Sequence, residues 1–141
     1  MLHAVIHALG ETGFAWDTTD VDGRSIKIID LPATAFQQPL ATSFDDALEA
    51  LAALPRLFIE PDGSFIWLGE EGPQQWKLDG QLNDSPYGLM TIELKISGAA
   101  PWPGVETVLR ILKWPSCPIA FELVRKGVYV DVETLHALLT S

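Results

Sequence analysis

Two histidines near the start of the chain have the residue type and spacing that metal sites use. His3 and His7 are separated by three residues, so they share one face of either a strand or a helix. A structural zinc site needs four ligands, and nothing in the sequence brings a third ligand, such as His136 or a carboxylate, close to the pair. We therefore expect surface histidines, with no bound metal and no cofactor.

Three acidic residues fall inside segments that read as strands: Glu60, Glu93 and Glu122. A pair of carboxylates is the minimum for hydrolytic acid–base catalysis. Glu122 lies between Phe121 and Leu123, where partial burial would perturb its ionisation. Strand alternation, however, places Glu93 and Glu122 on the outward face, which favours structural positions over catalytic ones.

The single cysteine and the missing motifs point away from an enzyme. Cys117 cannot form an internal disulfide and fits a reducing cytoplasm, and no histidine signature beside it marks a nucleophile. The sequence has no glycine-rich phosphate loop, nucleophile elbow or spaced Cys/His cluster. The balance therefore favours a protein without catalytic activity, although the sequence leaves the question open.

The acidic segment 17–23 resembles part of a calcium-binding loop. Asp20, Asp22 and Gly23 match three places of the EF-hand pattern. The first ligand position is Thr18 and the twelfth is Ile29, neither of which supplies a carboxylate. We therefore interpret the segment as a polar turn.

The five tryptophans are the least ordinary feature of the composition. Trp67 and Trp76 fall on predicted inward positions and are expected to fill the core. Trp102 lies between two prolines, and together with Trp114 it is the candidate binding residue of an exposed aromatic patch, a composition enriched at interfaces. The alternative is that Trp102 tucks under the second helix.

Length and charge bound the protein further. The chain of 141 residues is 48% apolar, which predicts one domain spanning residues 1–141. The net charge of −10 disfavours nucleic acid and anionic membrane surfaces as partners. No apolar run reaches the ~20 residues that span a bilayer, and no secretory signal is recognisable. A soluble, acidic, cytoplasmic protein is expected.

A hairpin over residues 56–69 organises the predicted fold. Pro61-Asp62-Gly63 is typical of a three-residue hairpin turn. If Glu60 pairs with Ser64, the register follows, and both faces of the hairpin become apolar. Because a strand covered on both faces lies inside a sheet, the hairpin is predicted at the centre of the fold.

The remaining patterns indicate an α+β domain, with a mostly antiparallel sheet and two or three helices packed on one face. Residues 90–96 alternate apolar and polar side chains. Ser43 and Asp131 are positioned to cap helices, and a second helix follows Pro101. Leu54-Pro55 and Trp114-Pro115 each end a helix before a hairpin, so the chain is either a duplicated ββαββ unit or uses one common local pattern twice.

The segments Leu57–Trp67 and Trp76–Leu82, followed by Trp114-Pro115, resemble an uncharacterised family of bacterial proteins. The resemblance covers about the last two thirds of the chain and implies fold-determining turns and aromatics, with no activity and no functional residue. From Ser43 onward, the element order is similar to that of type III secretion chaperones, which are dimers that bind an extended partner segment. The chain has one strand too many in the middle, and about forty additional residues before Ser43.

Two function classes follow. The leading hypothesis is a non-catalytic protein–protein interaction domain that binds a protein partner, or a second copy of itself, through the patch near Trp102. Its rival is a small-molecule-binding domain or small enzyme with a pocket between sheet and helices. The residues available to such a pocket are Glu60, Glu122, Cys117 and His136.

Overall fold

The computed structural model describes residues 1–10, 15–30, 32, 36–69 and 75–140. Within these residues the chain forms one nine-stranded sheet and three helices. The strands are β1 (Leu2–Ala8), β2 (Ala15–Val21), β3 (Arg24–Asp30), β4 (Leu57–Ile59), β5 (Ser64–Leu68), β6 (Trp76–Ser85), β7 (Gly88–Gly98), β8 (Ile119–Leu123) and β9 (Val128–Val130). The helices are α1 (Phe44–Ala52), α2 (Trp102–Ile111) and α3 (Val132–Thr140).

The sheet has the strand order β2-β3-β9-β8-β1-β7-β6-β5-β4, and every neighbouring pair is antiparallel. The earliest strand, β1, lies at the centre, between β7 and β8. This architecture confirms the α+β class and the mostly antiparallel sheet predicted from period-two alternation.

One face of the sheet, here called the inner face, is covered by the helices. Ile6 of β1 and Leu94 of β7 are fully buried there, in one apolar cluster with Leu51 of α1, Leu109 of α2 and Leu135 of α3. The opposite, outer face carries a second, smaller cluster. Its members are Leu9, Ile29, Phe36 and Ala120, with Tyr129 packed against them.

The 56–69 hairpin forms with the predicted register but in the wrong place. Leu57 pairs with Trp67, Phe58 with Ile66 and Ile59 with Phe65, and the turn closes when Glu60 N–H donates to Ser64 O. The expected central position is wrong, because β4 is the last strand of the sheet. The prediction assumed that other elements pack on both apolar faces of the hairpin. In the structure, the helices pack only on its inner face.

The segment predicted as a polar turn is largely a strand. Asp17 and Asp20 belong to β2, which pairs with β3 along its whole length. The reversal uses only Asp22 and Gly23, with φ of 52° and 82°, the combination required by a two-residue hairpin turn. A loop that wraps an ion is therefore not what this sequence forms.

The helix caps follow the sequence. Asp46 N–H donates to Ser43 Oγ at 3.1 Å, and Thr134 N–H donates to Asp131 Oδ1 at 2.8 Å. The element order contains strand–strand–helix–strand–strand twice, but the duplication stays a prediction. Among the described residues, none of the helices has the length and apolar character needed to cross a bilayer.

Candidate functional site

Trp102, the first predicted binding residue, is half-buried at the start of α2. Its ring packs against the main core and stacks on the exposed His136 of α3, with ring centroids 4.2 Å apart and an interplanar angle of 18°. The arrangement corresponds to the second sequence alternative, in which Trp102 anchors the helix. A binding role for its outer edge stays a prediction.

Trp114, the second predicted binding residue, follows the other end of α2 and is also half-buried. The Arg110 guanidinium lies over its ring, 4.8 Å from the centroid, in a cation–π contact. The ten-residue α2, about 15 Å long, separates it from Trp102. The two rings therefore contact different neighbours, and the binding role of Trp114 also stays a prediction.

The outer face brings together two histidine–glutamate pairs that the sequence did not connect. His7 Nε2 lies 3.1 Å from Glu122 Oε1, and His3 Nε2 lies 3.4 Å from Glu93 Oε1. The partners are far apart in the chain, since His7 and Glu122 are 115 positions apart. They meet because β1 inserts between β7 and β8, and outward-facing residues of neighbouring strands are then adjacent.

His7 is enclosed by aromatic rings. Phe36 and Tyr129 stack with centroids 3.8 Å apart and nearly parallel planes, and both meet the His7 ring edge-on. Burial raises the pKa of the Tyr129 hydroxyl, and the negative charge of Glu122 raises it further. Deprotonation of this tyrosine is therefore disfavoured in the folded chain.

The His7–Glu122 pair has the residue types of a general base, yet its geometry serves the fold. His7 Nδ1 faces Phe36 O at 3.4 Å, while Nε2 faces the Glu122 carboxylate. Both ring nitrogens face oxygen atoms of the chain itself, so His7 connects β1 to β8 and to Phe36.

The other residues considered for chemistry are dispersed. Glu60 is exposed beside the β4–β5 turn, Cys117 is a half-buried free thiol before β8, and His136 is exposed on α3. They lie on different elements, and no hydrogen bond or ion pair joins them in the described part of the chain. The structure therefore does not assemble them into one site.

The most exposed apolar feature of the sheet lies at its β4 edge. Phe58 is 67% exposed and Ile66 is 41% exposed, and the two are cross-strand partners on the outer face. We call Phe58, Ile66 and the free backbone of β4 the edge surface. The sequence showed this apolar pair, but its exposure could not be read without knowing which strand ends the sheet.

Among the described residues, no strand pairs with the outer edge of β4. Arg56 O accepts from Leu68 N–H, and Glu60 N–H donates to Ser64 O, so these residues point their groups toward β5. Hydrogen-bonding groups alternate along an antiparallel strand. Leu57 and Ile59 therefore direct N–H and C=O away from the sheet, as an edge strand does.

Comparisons with known proteins add no family to this geometry: no family model matches the chain, and no match is found among curated proteins or among solved structures. The resemblance to a bacterial family and the cytoplasmic location stay predictions. What the chain does must be inferred from its own surfaces.

Proposed function

We propose that this chain is a non-catalytic protein–protein interaction domain whose contact surface is the edge surface. The observation that carries the proposal is the 67% exposure of Phe58 on a strand with an unpaired edge. Aromatic side chains that are exposed beside free backbone groups lose water favourably when a partner strand covers them. This proposal keeps the protein–protein interaction function that the sequence predicted, but places the contact surface at β4 and not near Trp102.

The occupant that fits best is a second copy of this chain. If two β4 strands pair antiparallel about a two-fold axis at Phe58, Leu57 lies opposite Ile59 of the partner subunit. These are the residues with outward backbone groups, so they form the hydrogen-bonded pairs. Phe58 then faces Phe58 of the partner subunit in a non-hydrogen-bonded pair, where side chains are closest. Two copies of β4 are therefore complementary both in their backbone hydrogen bonds and in their side-chain contact.

Charge sets the strength of this contact. Each copy carries a net charge of −10, which opposes self-association over a Debye length of about 8 Å at physiological salt. Residues Leu57–Ile59 are all uncharged, so the repulsion arises from the surroundings rather than from the contact. We expect a weak dimer that becomes tighter when the NaCl concentration is raised.

Light scattering over a concentration series tests the proposal. The wild-type chain is expected to approach the dimer mass at high concentration, and Phe58→Ser should remain monomeric. Tyr87→Ser is the matched control, because Tyr87 is 84% exposed in the β6–β7 turn, away from β4. A wild-type chain that is still monomeric at about 1 mM and high NaCl concentration, where a dimer with a Kd of about 100 µM would be mostly formed, would overturn the proposal.

A further variant separates the two candidate surfaces. Trp102→Ala should leave the dimer intact if β4 is the contact. A dimer that Trp102→Ala dissociates and Phe58→Ser does not would place the contact at the start of α2 instead. The free β4 edge would also accept an extended segment of another protein, the kind of partner that secretion chaperones bind, and such a segment would compete with the dimer.

A further inference from the structure

A cavity of about 380 Å³ lies between the β4–β6 part of the sheet and the first turns of α2. We call it the tryptophan cavity. Its size falls at the lower end of the range of about 300–1,000 Å³ that small-molecule sites occupy. The side chains and backbone that line it include Arg56, Trp67, Trp76, Pro103, Gly104 and Thr107.

Two tryptophans give the cavity a rigid aromatic wall. Trp67 and Trp76 meet edge-to-face, with ring centroids 5.0 Å apart and planes at 89°. Trp76 fits only because glycines adjoin it, since a Cβ at Gly69 or Gly104 would come within 2.5 Å of its ring. The wall is therefore built from close packing and does not depend on flexible side chains.

The indole N–H groups of Trp67 and Trp76 differ in their hydrogen-bond partners. Trp67 Nε1–H donates to Pro55 O at 2.9 Å. The Trp76 N–H has no acceptor within the described ranges of the chain. The Trp76 Nε1 lies on the Gly69 side of the ring, whereas the opposite ring edge lies against Gly104 in the cavity wall.

Arg56 places a positive charge at the same cavity. Its Nε–H donates to Leu68 O at 3.3 Å, and no carboxylate of the described residues lies within ion-pair distance of its terminal nitrogens. The guanidinium fork matches a carboxylate.

The backbone of the rim is strained on both sides. Arg56 has φ of 61° and Ala100 has φ of 51°, and both residues line the cavity. Residues other than glycine occupy this left-handed region at a cost, and such residues cluster at functional sites. The Arg56 side chain is held at this rim by its hydrogen bond to Leu68 O.

From these observations we propose that the tryptophan cavity binds a small aromatic carboxylate. The flat apolar body of the ligand contacts Trp67 and Trp76, and its carboxylate pairs with the Arg56 guanidinium. The aromatic wall lies on the opposite side of the sheet from the exposed Phe58, because Trp67 faces the helix-covered side while Phe58 faces the outer side.

Benzoate is the probe that tests the proposal, with benzyl alcohol as its uncharged counterpart. The readout is the set of indole N–H resonances in two-dimensional NMR of the full chain. Benzoate should shift the Trp67 and Trp76 signals saturably in the millimolar range, whereas benzyl alcohol should bind at least about tenfold more weakly. The same titration is repeated on Arg56→Gln, which should lose about tenfold in affinity.

Arg110→Gln is the matched control, because it removes the same side chain from the exposed face of α2 and should leave the benzoate affinity unchanged. The dispersion of each spectrum checks that the variants fold. If Arg56→Gln does not fold, the benzoate and benzyl alcohol titrations of the wild-type chain decide alone. No saturable shift with benzoate, equal affinity for benzyl alcohol, or unchanged affinity in a folded Arg56→Gln variant would each overturn the proposal.

Discussion

The two edge strands of the sheet, β2 and β4, differ in how far their outer-face aromatic residue is covered. Each presents an aromatic side chain on the outer face, Trp16 on β2 at 41% exposure and Phe58 on β4 at 67%. The Lys27 ammonium lies over the Trp16 ring, 4.0 Å from its centroid, whereas no cation lies over Phe58 among the described residues. Asp17 and Asp20 add charge to β2, and β4 carries none.

Charged residues on an edge strand discourage pairing with another chain, because they lose water when a partner strand approaches. By this criterion the β2 edge is protected and the β4 edge is available, even though β2 is the longer strand. Accessibility of an edge is therefore set by its charges and by the cover over its aromatic residue, more than by its length.

The largest effect on stability is expected from replacing a glycine that lets two strands near the β4 edge pack closely. Phe65 crosses over Gly80, and a Cβ there would lie 2.0 Å from the Phe65 ring. Because Phe65 is buried, Gly80→Ala should lower the free energy of unfolding by about 3 kcal/mol. At the β2 end, Gly23→Ala meets no atom within 4 Å and should cost only about 1 kcal/mol of backbone strain.

Urea denaturation of both variants measures these free energies. The two values should differ by about 2 kcal/mol, given the overpacking at Gly80 and its absence at Gly23. Equal losses would mean that the β5–β6 pair accommodates the extra methyl by moving, and that the β4 edge is held less tightly than its packing indicates.

The next effect comes from giving β4 the protection that β2 has. Ile66→Lys places a cation beside Phe58 on the outer face, at a cross-strand position, much as Lys27 stands beside Trp16. We expect the dimer Kd to rise by about tenfold or more, with little change in monomer stability. Sedimentation equilibrium gives the Kd, and Thr18→Lys on β2 is the control that should leave it unchanged.

Removing the protection at the other edge should have a smaller effect. Lys27→Ala abolishes the cation–π contact with Trp16, and at an exposed site this should cost about 0.5–1 kcal/mol of folding free energy. Thermal unfolding measures the loss, and Lys27→Arg should restore most of it. If Lys27→Ala also makes the chain associate in a manner independent of Phe58, the charge at β2 was the barrier to pairing there.

The smallest effect concerns the turn that leads out of β4. The Ser64 N–H and hydroxyl both donate to Asp62 Oδ1, and these bonds hold the pKa of the Asp62 carboxyl below its ordinary 3.8. A carboxyl group whose pKa is lower in the folded than in the unfolded chain stabilises the fold above about pH 4. This stabilisation is lost as the pH falls through the lowered pKa. Asp62→Asn should flatten this part of the acid limb, measured as unfolding free energy between about pH 5 and pH 2.

Local structure could be predicted from the sequence wherever a turn or a cap fixes it. Pro61-Asp62-Gly63 sets the hairpin register, and Ser43 and Asp131 cap their helices. The inward positions of Trp67 and Trp76 follow from alternation. Each of these features depends on residues that are close together in the chain. Their interactions can therefore be predicted without knowing how the rest of the chain folds.

Placement in the sheet could not be predicted, because it depends on strand pairs distant in sequence. The β4 edge, and with it the exposure of Phe58, follows from which strands lie beyond the hairpin. The same holds for the approach of His7 to Glu122 and for the packing of Phe36 on Tyr129. Single residue types indicated none of these contacts, since each joins residues that are far apart in the sequence.

That central position of β1 has a consequence for the newly made chain. During synthesis, β1 leaves the ribosome long before β8 exists: at roughly 5–20 residues per second, the 115 residues that follow His7 up to and including Glu122 take about 6 to 23 seconds. Strand β7 is translated before β8 and can pair with one edge of β1, but the other edge stays unpaired until β8 is made. The last strands to be translated are the ones that close the middle of the sheet, so a nascent chain that stalls before β8 has a gap at its centre.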